Sequence, residues 1–218
     1  MLLAEELLLI GLDPAKGSVV NSVRPQLLVG LAGALVGELA LAGLVELSGE
    51  RFVAVGGPPV DPLLAAAHQA LARPEGRRAA DQLRRLDKAI GGVWSRLVER
   101  LVDQGVLDRR RDRVVLFPVT RHPVLHSAVR EELLEQVRAA AAGDGELEPR
   151  TAVVLALAGP SRLLEVVAPD RAGRRHAKRR IDTATELTPV APVVKKVIAQ
   201  MQAAAAVAVA AGGAASSS

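Results

Sequence analysis

The chain has 218 residues, half of them hydrophobic and 24% charged, with a formal net charge of +4. That length suits one large domain or two small ones, and the apolar content excludes a disordered polar chain. Cysteine is absent, which removes disulfides, thiolate catalysis and thiolate-bound zinc. Aromatics make up only 1%, so the core falls to Leu, Val and Ala, which favours helix packed on helix.

Residues 2–10 read as a short helix with Leu on most sides, ended by Gly11 and Asp13-Pro14. The start "MLLAEELLLIGLD" has no basic residues, carries Glu5 and Glu6, and lacks a small-residue cleavage site. It is not a signal peptide, and a cytoplasmic protein is expected. Residues 23–42 form a strongly apolar helix. It approaches the length of a membrane span, and Gly33 and Gly37 make a GxxxG pair. Glu38 would cost roughly 2.5–3.5 kcal/mol at mid-membrane. A central helix buried by other helices is the expectation, with Gly30, Gly33 and Gly37 admitting close neighbours.

Residues 44–55 read as a hairpin turning at Ser48-Gly49. Asp61-Pro62 caps a helix running to Ala72. An Arg-rich amphipathic helix covers 77–90, Gly91-Gly92 breaks it, and a helix over 93–104 follows. A second hairpin is expected over 106–119, and His122-Pro123 opens a helix to Ala142. Helices over 150–158, 161–167, 171–186 and 190–210 are separated by Pro160, Pro169 and Pro189. Domain boundaries follow as one domain over 1–210 and a disordered tail over 211–218. Helix, glycine and hairpin recur at Glu38–Val55 and Glu99–Phe117, with Gly43 and Gly105 suited to left-handed helix ends.

The sites for chemistry are few. His122 and His126 stand four apart, but no third metal ligand converges and Pro123 keeps His122 outside a helix. Ser95 and Ser161 lack an adjacent His or a Gly-rich elbow, and there is no phosphate-binding glycine loop. No catalytic residue, metal or cofactor is expected. Glu5-Glu6 and Glu131-Glu132 read as surface charges. "RAGRRHAKRR" at 171–180 reads as a solvated basic face, or as a second contact for an anionic surface. The dominance of Arg over Lys, with abundant Ala, Gly and Val, points to a GC-rich bacterial coding sequence.

Several segments together resemble the Golgi phosphoprotein 3 family. They are "EELLLIGL" at 5–12, "GLAGALVGELALAG" at 30–43, "RLVERLVDQGVL" at 96–107 and "VVLFPVTRHPVL" at 114–125, in matching order and spacing. "TAVVLALAGPSRLLEVVAP" at 151–169 agrees more loosely. The resemblance implies a mainly α fold, a central helical bundle wrapped by amphipathic helices, with one or two β-hairpins. It implies a hairpin that touches or enters a membrane and mediates self-association. It also implies a phosphoinositide-binding adaptor for the cytoplasmic tails of membrane proteins, and no enzymatic activity. The family's headgroup Trp position falls near Ser22 or Val23, and its Arg positions fall at Ala32, Gly91 and Trp94. None matches. Arg24, Trp94 and Arg96 stand nearby as a rearranged headgroup pocket, and the expectation is general binding of anionic lipid.

The stretch "GVLDRRRDRVVLFPVTRHP" at 105–123 sets a charge cluster beside an apolar run. With the turn near Arg110–Asp112, Arg109, Arg110, Arg111 and Arg113 would meet headgroups. Val115 and Phe117 on one flank would meet lipid. That arrangement predicts shallow, electrostatic docking on the inner face of a membrane. The competing class is a winged-helix DNA-binding protein, built from the pieces between 78 and 117 with Arg77, Arg78, Arg84, Arg85 and Arg96 on phosphates.

Overall fold

Leucine on every side of residues 3–11 leaves a helix no solvent face, and the protein buries it whole. The computed structural model describes residues 1–19, 24–73, 78–114 and 117–187, with the backbone alone at 112–114 and 117–119. In it, α1 (Leu3–Gly11) is buried from Leu3 to Ile10. Glu5 and Glu6 are buried with it, contrary to the expectation of surface charges. Both are tolerated because donors meet them. Glu5 Oε1 accepts from Arg100 Nε at 3.0 Å and Gln104 Nε2 at 3.2 Å, and Glu6 Oε1 accepts from Arg150 Nη2 at 2.8 Å. Glu131 and Glu132 are exposed as expected.

The apolar helix α2 (Arg24–Leu41) packs along α1. It is long and apolar enough to cross a membrane, yet 61% of it is buried inside the fold, which makes it a core helix. Glu38 turns inward to accept from Leu3 N at 2.6 Å and Arg150 Nη1 at 2.7 Å. Gly30 is needed for packing: a Cβ there would lie 2.0 Å from Ser161 Oγ. Gly43, at φ +68°, ends the helix in the left-handed region.

The hairpin β1 (Val45–Ser48) and β2 (Arg51–Ala54) closes with Ser48 opposite Arg51, as the Ser48-Gly49 turn predicts. Next come α3 (Pro62–Ala72), α4 (Ala79–Ala89) and α5 (Val93–Asp103). Asp61 caps α3 by accepting from Leu63 N and Leu64 N at 2.9 and 3.0 Å, and its second oxygen holds Arg100 Nη2 at 2.9 Å. β3 (Arg110–Val114) and β4 (Phe117–Arg121) make the second hairpin. α6 (Ser127–Ala142), α7 (Pro149–Ala158), α8 (Leu164–Val167) and α9 (Arg171–Glu186) complete the described chain.

Among the described residues the fold is thus nine helices and two two-stranded hairpins, mainly α as expected. α1, α2 and α7 form the centre, and the more polar helices wrap them. The helix expected over 190–210 and the tail over 211–218 lie outside the described residues. α6 begins at Ser127 rather than at Pro123. The intervening Val124 bridges Leu107, and Leu125 N donates to Val106 O at 2.9 Å, so strand pairing takes residues assigned to the helix.

Candidate membrane-binding surface

The second hairpin starts from a buried anchor. α5 ends at Gly105, at φ +71°, and Leu101 O accepts from Val106 N at 2.9 Å and Leu107 N at 3.1 Å. Leu107 is buried and bridges Val124, and Asp108 N donates to Pro123 O at 2.9 Å. The loop after α1 braces the other arm. Val124 N donates to Pro14 O at 3.1 Å, and Gly17, at φ +56°, lies so close that a Cβ would sit 1.9 Å from the His122 carbonyl carbon. Arg130, one turn into α6, donates to Leu9 O at 2.9 Å and fixes the end of α1 beside it.

One register then runs outward from this base. Arg110 pairs with Arg121, Arg111 with Thr120, Asp112 with Val119, Arg113 with Pro118, and Val114 with Phe117. This corrects the expected turn near Arg110–Asp112. Those residues lie within a strand, and the described pairing runs on as far as Val114 with Phe117. The charge cluster is therefore the stem, and the apolar run begins at its far end. Arg109, Arg110 and Arg111 are exposed. Arg113 and Phe117 hold backbone places in β3 and β4, and the described structure does not extend to their side chains. Val115 lies outside the described residues. Among the described residues the strands pack chiefly on each other, whereas β1 and β2 pack on α2, α3 and α4.

His122, at the hairpin base, has its pKa pushed below the ordinary value, first by burial and then by the positive charge of Arg109. A proton there would add a cation to an already cationic stem.

The second expected cluster is only partly assembled. The Arg24 guanidinium carbon lies 4.9 Å from the Trp94 ring centroid, a cation–π contact between the start of α2 and the first turn of α5. Arg96 does not join them. Its Nη1 donates to Ile90 O at 3.2 Å, closing the end of α4. On α9, Arg171, Arg175 and Lys178 are exposed, while Arg180 donates to Ala140 O and Gly145 O at 3.2 and 2.6 Å.

Of the residues expected to grip DNA phosphates, three have partners within the fold and Arg85 is exposed. Arg78 pairs with Glu50 at 3.1 Å, Arg84 with Asp81 at 3.0 Å, and Arg96 with the Ile90 carbonyl; Arg77 lies outside the described residues. The helix that would enter a groove, α5, buries Val93, Leu97, Val98 and Leu101.

What sequence reasoning missed is the buried ionic network. Arg100 joins Glu5 to Asp61, and Arg150 joins Glu6, Glu38 and the Met1 carbonyl. The signal was present: paired carboxylates inside a helix apolar all round need buried cations. Burial raises the Glu6 pKa most, the Arg150 hydrogen bond and charge oppose that, and Glu38 adds to it. For Arg150, burial acts to lower the pKa, but Glu38 and Glu6 outweigh it and the net shift is upward.

The sequence pattern of the Golgi phosphoprotein 3 family matches residues 3–201, nearly the whole chain. The chain belongs to that family. No curated protein matches it. The Golgi phosphoprotein 3 family is one of adaptors rather than enzymes, and at that level membership carries an adaptor role. The quoted segments at 5–12, 30–43, 96–107, 114–125 and 151–169 all fall inside the matched range. In this Golgi phosphoprotein 3-like fold they form α1, α2, α5 with its glycine end, the outer hairpin arm, and α7 with α8.

Proposed function

We propose that this chain is a peripheral membrane adaptor that docks on anionic lipid through the β3–β4 hairpin. The observation that carries the reading is the hairpin register, which gives a cationic stem and an apolar far end. Val114 lies three residues beyond Arg111, about 10 Å along a strand. The headgroup zone of one leaflet is about 5–7 Å thick. With Val114, Val115, Leu116 and Phe117 at the hydrocarbon, the arginines stand at or just outside headgroup level.

The energies support reversible attachment. Burying Val115 and Phe117 contributes roughly 1.5–3 kcal/mol each. Each Arg close to an anionic surface adds about 1 kcal/mol, so Arg109, Arg110, Arg111 and Arg113, less Asp112, add about 3 kcal/mol. The electrostatic share fades as salt screens it. Two weak anchors acting together are what stable but reversible docking requires. Entry of the apolar end goes beyond the shallow docking expected from a charged tip. Arg24 beside Trp94 offers a further cation for a lipid phosphate. The reading places the protein on the cytoplasmic face of a membrane. Its partners there are the cytoplasmic tails of membrane proteins and, through the hairpin, other copies of the chain. No cofactor or catalytic step is required.

Vesicle flotation tests this. The protein should float with phosphatidylcholine vesicles containing phosphatidylserine or cardiolipin, and not with phosphatidylcholine alone. Arg109→Glu with Arg111→Glu should weaken binding by at least about thirtyfold while the melting temperature stays unchanged. Undiminished binding by this double variant would sink the proposal.

A further inference from the structure

The first hairpin has two edges, and among the described residues hydrogen bonds from outside the hairpin reach only that of β2. Phe52 in β2 directs both its backbone groups away from β1: Phe52 N donates to Gln82 Oε1 at 2.8 Å, and Phe52 O accepts from Gln82 Nε2 at 2.9 Å. The Gln82 amide stands in for a neighbouring strand. Just past the end of β2, His68 Nε2 of α3 lies 3.1 Å from Val55 O. α3 and α4 pack on β2, and α4 closes its outer edge at Phe52.

The same hydrogen bonds fix the opposite edge. Because Phe52 faces Gln82, the Leu47–Phe52 pair exchanges no hydrogen bonds, and alternation assigns Val45–Ala54 to the same class. The N–H and C=O of Val45 and of Leu47 therefore point outward from β1. Among the described residues no hydrogen bond reaches them. An open edge of this kind is ordinarily blunted by charge, proline or a covering element. Here the edge strand carries one charge, Glu46, beside an exposed apolar side chain: Leu47 is 37% exposed on the side facing the core, next to buried Val45.

We infer that the outer edge of β1 is a docking site for an extended peptide that alternates apolar and cationic side chains. The side-chain requirement follows from the pleat. An added strand places one set of side chains beside Val45 and Leu47, over the core side, where apolar groups bury area. The other set falls beside Glu46, which is exposed and has no ion-pair partner among the described residues. A cation opposite Glu46 supplies the missing partner. The same carboxylate argues against a second copy of the chain. Antiparallel self-pairing centred on this edge sets Glu46 directly against its own counterpart, a like-charge pair that destabilises. This site is separate from the β3–β4 hairpin: β1 and β2 pack on α2, α3 and α4, and β3 and β4 chiefly on each other.

The test uses the full chain and a short capped peptide alternating valine and lysine, read by amide hydrogen exchange and by peptide fluorescence anisotropy. Bound peptide should slow exchange at the Val45 and Leu47 amides and leave the β3–β4 amides unchanged. Leu47→Pro removes an N–H that is unpaired in the free protein. It should keep the melting temperature and weaken peptide binding at least about tenfold. Glu46→Lys keeps every edge hydrogen bond and should weaken binding about fivefold. Should the proline variant fail to fold, Glu46→Lys and the wild-type exchange pattern decide alone. The inference is overturned by unaltered exchange at Val45 and Leu47, or by equal affinity for a valine–glutamate peptide. It is likewise overturned by self-association that Leu47→Pro abolishes, which assigns the edge to a second copy. Slow exchange there in the free protein, lost on truncation after Leu187, assigns it to the chain's own C-terminal segment and overturns it too.

Discussion

Arg150 shows what one half-buried side chain does here. Its guanidinium reaches Glu6, Glu38 and the Met1 carbonyl, so the N-terminal segment and α2 both close on one cation from α7. Arg150→Met leaves two inward carboxylates without it and should cost about 3–5 kcal/mol in urea unfolding. Glu6→Gln should be far milder, because burial already disfavours the Glu6 charge. Its raised folded pKa means a proton is held more tightly in the folded state. The stability linked to Glu6 is therefore full below about pH 4.5 and lost as pH rises through the folded value. Wild type measured against Glu6→Gln should follow that course, and a constant difference across pH contradicts it. His122 behaves oppositely. Its folded pKa lies below 6.5, so its contribution is present above that pH and is lost as pH falls through the folded value. Arg109→Ala should move the His122 imidazole titration upward, measured by proton NMR; an unmoved midpoint removes the coupling.

At the scale of elements, the helices were legible because their punctuation is chemical. Asp61-Pro62, Gly91-Gly92 and Gly105 mark boundaries that the structure repeats at α3, α4, α5 and the hairpin base. The turn of the second hairpin was misread for a related reason. Residues 115–116 are Val-Leu, with no glycine, asparagine or proline to announce a reversal, while Asp112 in the arginine run imitates one. Pairing registers depend on partners distant in sequence, and the Leu107–Val124 bridge that sets this one cannot be read locally. Gly17 belongs to the same account. Its contact with His122 joins the loop after α1 to the hairpin arm, and nothing near residue 17 in sequence signals it. Gly17→Ala should destabilise the protein by more than about 2 kcal/mol and speed exchange at the Asp108 and Val124 amides. Retained protection at both would show that the loop does not brace the hairpin.

For the whole molecule, the body and the hairpin divide the work. The body is held together for identifiable reasons: α1 and α2 packed along each other, two half-buried arginines tying four carboxylates, and Gly30 admitting Ser161 against α2. The hairpin stands on that body by the 107–124 pairing, with Arg109, Arg110 and Arg111 exposed along its stem. The family was legible from the order of several weak motifs, since each maps onto a core helix or the hairpin arm. Of the residues expected as a rearranged headgroup pocket, Arg24 and Trp94 meet, while Arg96 serves the Ile90 carbonyl. Salt-dependent flotation measures the central claim most directly. Binding to vesicles containing phosphatidylserine should fall as salt rises from low to physiological strength and be absent on phosphatidylcholine alone. Equal binding to both vesicles at every salt concentration, or to neither, would contradict it.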